Sequence, residues 1–304
     1  MANSTIVGRF APSPTGPLHF GSLIAAVGSY CLARSAGGRW LLRIEDLDAP
    51  REVPGSAAEI LSTLEALGFC WDGEVIRQSL RQEAYHAALA QLRQQGLLYD
   101  CACSRREILA SAPHPGEEGP VYPGTCRQGI PAGRLPRAVR IRVPDRVIGF
   151  ADGVFGRYEQ DLSREVGDFV LRRADGMFAY QLAVMVDDHA SGVNQVVRGA
   201  DLLGSTPRQI FLLECLGLPV PDYLHLPLAV NADGSKISKR CGNGVPSDGG
   251  EMVWQALRWL GQPVPEEMRG APPAELLTWG AGNFVAGRIP AVMEIAVDSA
   301  VKSR

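Results

Sequence analysis

The 304-residue sequence predicts an α/β fold: a parallel sheet flanked by helices, broken by an irregular insertion and closed by a short helical tail. Three observations carry this expectation. Within the first 46 residues a β-branched run, a glycine- and proline-rich loop, a helix pattern and a second β run follow one another, the order of a βαβ unit. About thirty residues rich in Pro, Gly, Cys and Arg begin at Cys101 and show no regular period. Beyond them strand-like and helical stretches resume, so the sheet should continue after the interruption.

In chain order, STIVGRF reads as a strand over 5–10, and 21–36 reads as a helix stopped by Gly37-Gly38, a C-cap signal. RWLLRIED, from Arg39, is the second strand. SAAEILSTLEALGF and RQEAYHAALAQLRQQGLLY are amphipathic helices. After the insertion, AVRIRV and DFVLRRADGMFAYQLAVMVDD read as strand-like. STPRQIFLLECLGL is a helix with Ser205 or Thr206 as cap and Pro207 in its first turn. EMVWQALRWLG and PAELLTWGAG supply the helical tail. The expected division is 1–98 and 186–245 for the two halves of one α/β domain, 99–185 for the insertion, and 246–304 for the tail.

Composition narrows the function classes. A hydrophobic fraction of 46% and a charged fraction of 21% are ordinary for a globular chain. No apolar run reaches bilayer-spanning length, and MANSTIVGRF has no basic region followed by an apolar core. A cytoplasmic protein with no membrane partner is expected. Seven cysteines, an odd number in no secreted framework, agree. Thirty basic against 33 acidic residues give a net charge of −3, which by itself predicts no nucleic-acid partner. A local basic surface would suffice for one.

The loop between the first strand and helix, within GRFAPSPTGPLHFGSL, occupies the place where open parallel sheets bind ligands, beyond the carboxyl end of a strand. It leads into a helix N-terminus whose free N–H groups attract phosphate. Gly16 and Gly21 permit close backbone approach, Pro12, Pro14 and Pro17 stiffen the loop, and His19 is placed to donate to a phosphate oxygen. Read alone, such a loop is more often a stiff connection. RIEDLD puts Glu45 and Asp46 on the same sheet edge as Arg9 and Ser13, and DGSKISKR sets Lys236, Ser238 and Lys239 on a loop bearing Gly234.

Together these stretches resemble the class I aminoacyl-tRNA synthetases, in their glutamyl-tRNA synthetase branch. RFAPSPTGPLHFGSL resembles that branch's form of the HIGH signature, with LHFG in its place, and KISKR resembles the KMSKS loop. LRIEDLD and VDDHASGVNQVVRGADLLGSTPRQ lie between them in the family's order, so the resemblance spans roughly 5–240. It implies a Rossmann-like catalytic domain with a zinc-bearing insertion. It also implies activation of an amino acid by in-line attack of its carboxylate on the α-phosphate of ATP, with Mg²⁺ carried on the nucleotide. Rate then comes from positioning and charge stabilisation, for which His19 and Lys239 are the catalytic candidates. Pro12, Gly16, Gly21, Lys236 and Ser238 complete the nucleotide site.

Substrate choice follows from charge. L-Glutamate presents two carboxylates and one ammonium, to be met by cations and an anion. Arg9 and Arg198 supply guanidiniums, Glu45 a carboxylate, and Ser13 and Tyr180 hydroxyls; the resemblance implies the same residues. In the insertion Cys101, Cys103 and Cys126 offer three thiolates, and structural zinc takes four ligands. Generic chemistry offers His114 as the fourth; the resemblance implies Tyr122. Cys31, Cys70, Cys215 and Cys241 read as structural. Arg137, Arg140, Arg142 and Arg146 form a basic run after the zinc segment, which in this family meets tRNA.

Two features depart from the longer members. The common RGED is RGAD here, with Ala200 in place of the acid, and the 65 residues after Lys239 are too few for a helical anticodon-reading domain. Both resemble a truncated paralogue that activates glutamate without tRNA and attaches it to the queuosine base in the anticodon of tRNA(Asp). That activity, in a monomer, is the expectation. Two others stay open: an ordinary glutamyl-tRNA synthetase lacking the anticodon domain, and an inactive nucleotide- or RNA-binding paralogue. Joint retention of His19, Lys239, Arg9 and Glu45 argues against the last.

Overall fold

The structure, a computed structural model, describes residues 5–111, 115–116, 119–231, 234 and 249–297. Strand β1 (Val7–Phe10), helix α1 (Phe20–Ser35) and strand β2 (Arg39–Ile44) form the expected βαβ unit. β1 and β2 are parallel, Val7 opposite Arg39 and Phe10 opposite Leu42. The short strand Ile76–Arg77 continues the order beyond β2. The two glycines that stop α1 have separate reasons. Gly37 takes φ 64°, a left-handed turn that glycine enters without a Cβ clash. At Gly38 a Cβ would lie 2.3 Å from the Ile6 carbonyl oxygen.

A second parallel pair joins Gln195–Gly199 to Asp222–Leu226. Asn194 sets it beside β1: its N–H donates to Val7 O at 3.1 Å, and its Oδ1 accepts from Val7 N at 2.8 Å. The two halves of the α/β unit therefore meet at β1, and the crevice beyond the strand ends there is the ligand position of an open α/β sheet. The tail helices Gly249–Trp259 and Pro273–Asn283 pack on α1. The fit is close enough that a Cβ on Gly280 would come within 2.6 Å of Cys31 Sγ. Leu23, Val27, Trp40, Leu42 and Leu257 lie in this core.

The insertion carries its own antiparallel sheet, ordered Val170–Arg172, Ala138–Ile141, Leu98–Cys101. Four sequence expectations change. Residues 180–190 form a helix, Tyr180–Ala190, and not a strand. Leu182, Ala183, Val184, Met185 and Val186 are all buried, so the helix is apolar nearly all round and its 3.6 period is hidden. The helix expected to reach Tyr99 ends at Gln94, and Gly96 at φ 73° turns the chain into the strand Leu98–Cys101. The hairpin of Val147–Asp152 and Gly156–Asp161 lies in one sheet with Gln195–Gly199 and Asp222–Leu226. The basic run is no single face: Arg140 is buried, Arg137 is exposed, and Arg146 is paired with Glu214. Among the described residues no helix is long and apolar enough to cross a membrane.

Candidate active site

Beyond the ends of β1 and Gln195–Gly199 lies a cleft of about 590 Å³. Arg9, Pro12, Ser13, His19, Gly21, Glu45, Tyr180 and Arg198, all singled out in the sequence, line it. Gly16 does not. It turns the loop at φ 133°, and both its N–H and its carbonyl are engaged by Ser56 Oγ, at 3.0 and 2.7 Å. Lys236, Ser238 and Lys239 lie outside the described residues.

One wall is a buried ion cluster. Arg9 Nε donates to Asp188 Oδ1 at 3.1 Å and its Nη1 to Val197 O at 3.2 Å. No protein group among the described residues accepts from Nη2. Arg43, 1% exposed, reaches the same Asp188 oxygen at 2.5 Å and Glu45 Oε1 at 3.1 Å. Burial alone would raise the Asp188 carboxyl, but Arg43 and Arg9 overcome it and hold the group below its ordinary value. For Glu45 burial wins over Arg43 and Arg9, and its pKa is raised. A cation brought next to Glu45 therefore gains from relieving a strained carboxylate. Asp46, its sequence neighbour, is a loop anchor, accepting from Ser79 N and Oγ, both at 2.8 Å.

A second part of the lining is built around Arg198, 5% exposed. Its Nε donates to His225 Nε2 at 3.1 Å; Nη1 meets Gln209 Oε1 at 2.8 Å and Tyr180 Oη at 3.4 Å. Its Nη2 meets Thr206 Oγ1 at 2.8 Å and Leu202 O at 3.4 Å. All five donors are met, and every acceptor among the described residues is neutral. The two contacts at 3.4 Å are the ones a ligand carboxylate could replace. The counter-charge sits one imidazole away: His225 Nδ1 lies 2.6 Å from Asp152 Oδ2. Since Nε2 accepts from Arg198, Nδ1 carries the proton, and His225 is neutral. Burial and Arg198 lower its pKa against the raising influence of Asp152.

His19, also on the cleft lining, is the N-cap of α1. Its Nδ1 accepts from Ser22 N–H at 3.2 Å, which leaves Nε2 as the protonated nitrogen, 3.1 Å from Ser22 Oγ. Gly21 makes room for the ring: a Cβ there would lie 3.1 Å from His19 Cε1 and 3.2 Å from Nδ1. α1 has no acidic residue in its first turn to repel an anion.

Sequence reasoning misses Arg43, Asp188, Gln209, Thr206, His225 and Asp152. VDD gave the only hint for Asp188. Its neighbour Asp187 points elsewhere, accepting from Tyr85 Oη at 2.6 Å, Gln78 Nε2 at 2.9 Å and Arg81 Nε at 2.9 Å.

In the insertion the Sγ atoms of Cys101, Cys103 and Cys126 lie within 4.8 Å of one another. Tyr122 Oη is 3.4 Å from Cys101 Sγ and 3.6 Å from Cys103 Sγ, and it accepts from Cys126 N–H at 2.9 Å. Burial pushes the Cys101 thiol up, but bonds from Tyr122 and Arg140 more than offset this and lower it. Three convergent sulfurs are donors of the kind structural zinc takes, and Tyr122 Oη lies among them. His114 lies outside the described residues, as does Cys241. Of the cysteines expected to be structural, Cys31 is buried, Cys215 partly so, and Cys70 is exposed.

The family model for the catalytic domain of class I tRNA synthetases (E and Q) matches residues 5–249. A solved glutamate-tRNA synthetase from Elizabethkingia anophelis is similar at a TM-score of 0.80 and 25% identity, over 98% of this chain and 69% of that one. The chain belongs to the class I tRNA synthetases of the glutamate and glutamine type. Within that class it is 55% identical to a glutamyl-Q tRNA(Asp) synthetase from Geobacter sulfurreducens, over 94% of each chain. It is 56% identical to one from Dechloromonas aromatica, over 95% of this chain and 97% of the relative.

Proposed function

We propose that the cleft activates L-glutamate with ATP, without tRNA, and passes the glutamyl group to the queuosine base in the anticodon of tRNA(Asp). The observation that carries this is the charge layout of one cleft, lined by two guanidiniums, a raised carboxylate and a histidine-capped helix N-terminus. The long identity to glutamyl-Q tRNA(Asp) synthetases supports the choice of acceptor.

Glutamate binds with its ammonium at Glu45 and its carboxylates toward Arg9 Nη2 and Arg198, with Ser13 and Tyr180 adding hydroxyls. The reacting carboxylate oxygen attacks the α-phosphorus, the bond to the bridging oxygen breaks, and pyrophosphate leaves. His19 Nε2–H donates to the phosphoryl oxygens as charge builds there. Pro12, Gly16 and Gly21 shape the loop, and Lys236, Ser238 and Lys239 complete the nucleotide site. One such donor contributes about 3 kcal/mol. Mg²⁺ bound to the nucleotide would neutralise further phosphate charge. A queuosine hydroxyl then attacks the glutamyl carbonyl carbon and AMP departs. One zinc ion held by Cys101, Cys103, Tyr122 and Cys126 would staple the irregular part of the insertion, which presents the tRNA surface. The protein acts in the cytoplasm as a monomer.

The test is exchange of labelled pyrophosphate into ATP with purified protein and no RNA. Exchange that depends on glutamate is expected. An absolute requirement for tRNA would contradict the reading.

A further inference from the structure

Arg140, on the strand Ala138–Ile141, is a buried cation that the activation chemistry does not use. It is 7% exposed, and no carboxylate among the described residues forms an ion pair with it. Three acids line a cavity with it, and each has other partners. Asp168 pairs with Arg127 at 3.5 Å, and its carboxylate accepts from Tyr99 Oη at 2.7 Å and Val143 N at 2.8 Å. What Asp168 gives Arg140 is its carbonyl, which accepts from Nη1 at 2.6 Å. Glu165 Oε1 accepts from Asp161 N at 2.7 Å, and Asp175 pairs with Arg173 at 2.7 Å. A charge this far withdrawn from water persists where an opposite charge answers it.

The answer lies on the face that Arg140 shares with the cysteines. In the antiparallel pair Arg140 stands opposite Tyr99, and Ala138 opposite Cys101, so these four side chains leave the sheet on one side. The guanidinium lies 3.8 Å over the Tyr122 ring. The oxygen of that ring is 3.4 Å from Cys101 Sγ and 3.6 Å from Cys103 Sγ. Zinc takes cysteine as thiolate, so three cysteines bring one negative charge more than the ion cancels, before Tyr122 is counted. We infer that Arg140 is the counter-charge of this metal site, holding the cluster in its anionic, metal-binding form without ligating the ion itself; the inference rests on the zinc site proposed above. Attraction between a guanidinium and an aromatic face strengthens out of water, and the bond to Asp168 O keeps the fork over the ring. With zinc bound, the cation is answered by the excess charge of the ligands. Without it, with the thiols protonated, the cation is buried and unanswered. Occupancy of the site therefore decides whether Arg140 stabilises the insertion or burdens it.

The experiment uses the full chain under reducing conditions. Zinc affinity is read by competition against a chromogenic chelator, and melting is followed with and without the metal. Arg140→Met keeps apolar bulk over the ring and removes the charge. It should weaken zinc binding about 10–100-fold, while the metal-free variant and the metal-free wild type melt within a few degrees of each other. Arg140→Lys restores the charge and should recover most of the lost affinity. Three results would overturn the counter-charge and leave the zinc site standing. These are unchanged affinity in Arg140→Met, equal losses in the two variants, and a metal-free Arg140→Met chain that unfolds where the metal-free wild type does not. No zinc bound by the wild type would overturn both the counter-charge and the site.

Discussion

Arg198 Nε stands 3.1 Å from His225 Nε2, inside the protein, with the histidine's other nitrogen on Asp152. A neutral imidazole thus carries a carboxylate's influence to a guanidinium on the cleft lining. Replacing it by Phe leaves Arg198 Nε without its acceptor and removes one partner of Asp152. His225→Phe should lose about 1–3 kcal/mol of stability at pH 7. The pH dependence has a definite sign. Burial lowers the folded-state pKa of His225, so the unfolded chain binds the extra proton first. The contribution is full above the unfolded value, about 6.5, and is lost as pH falls from there toward the lowered folded value. Calorimetry of both proteins should show their difference in Tm shrinking over that acid window and constant above it.

Arg198→Lys keeps the charge and loses the fork. Three rotatable ammonium protons cannot meet five fixed acceptors and also take a carboxylate. The KM for glutamate in pyrophosphate exchange should rise about tenfold or more, while the KM for ATP stays near the wild-type value. Equal effects on both substrates would place Arg198 elsewhere in the reaction.

Gly21→Ala separates folding from chemistry. Alanine is the better helix former, so thermal stability should hold or rise slightly. The new methyl would press on the His19 ring at 3.1 Å, tilting Nε2–H away from the phosphoryl oxygens. A drop in kcat of about tenfold, with an unchanged or higher Tm, is expected from steady-state assays beside a melting curve. An active variant would show that the ring position is not decisive.

Metal analysis of purified protein should find one zinc per chain, and Cys103→Ser should lose it, with faster proteolysis of the insertion. Tyr122→Phe should weaken retention against a chelator. Full retention of zinc in Cys103→Ser would reject the ligand set.

The βαβ opening and most of the cleft were legible because local rules and function agree there. A glycine pair stops α1, prolines stiffen its approach, and Arg9 and Glu45 fall on the edge where parallel strands end. Arg43, Asp188, His225 and Asp152 were not legible, because they meet through contacts of high sequence separation that no local pattern records: His225 reaches back 73 residues to Asp152, and Arg43 reaches forward 145 to Asp188. The helix Tyr180–Ala190 was misread for a related reason. Burial on nearly every side removes the polar face that reveals a helix in sequence, and with it the clue to which of Asp187 and Asp188 enters the site.

The central claim is the identity of the acceptor. Queuosine-containing tRNA(Asp) should be charged with labelled glutamate, digested with a nuclease, and its fragments separated. The account predicts label on the anticodon fragment, and none on tRNA(Asp) that lacks queuosine. Label released with the terminal adenosine would contradict it.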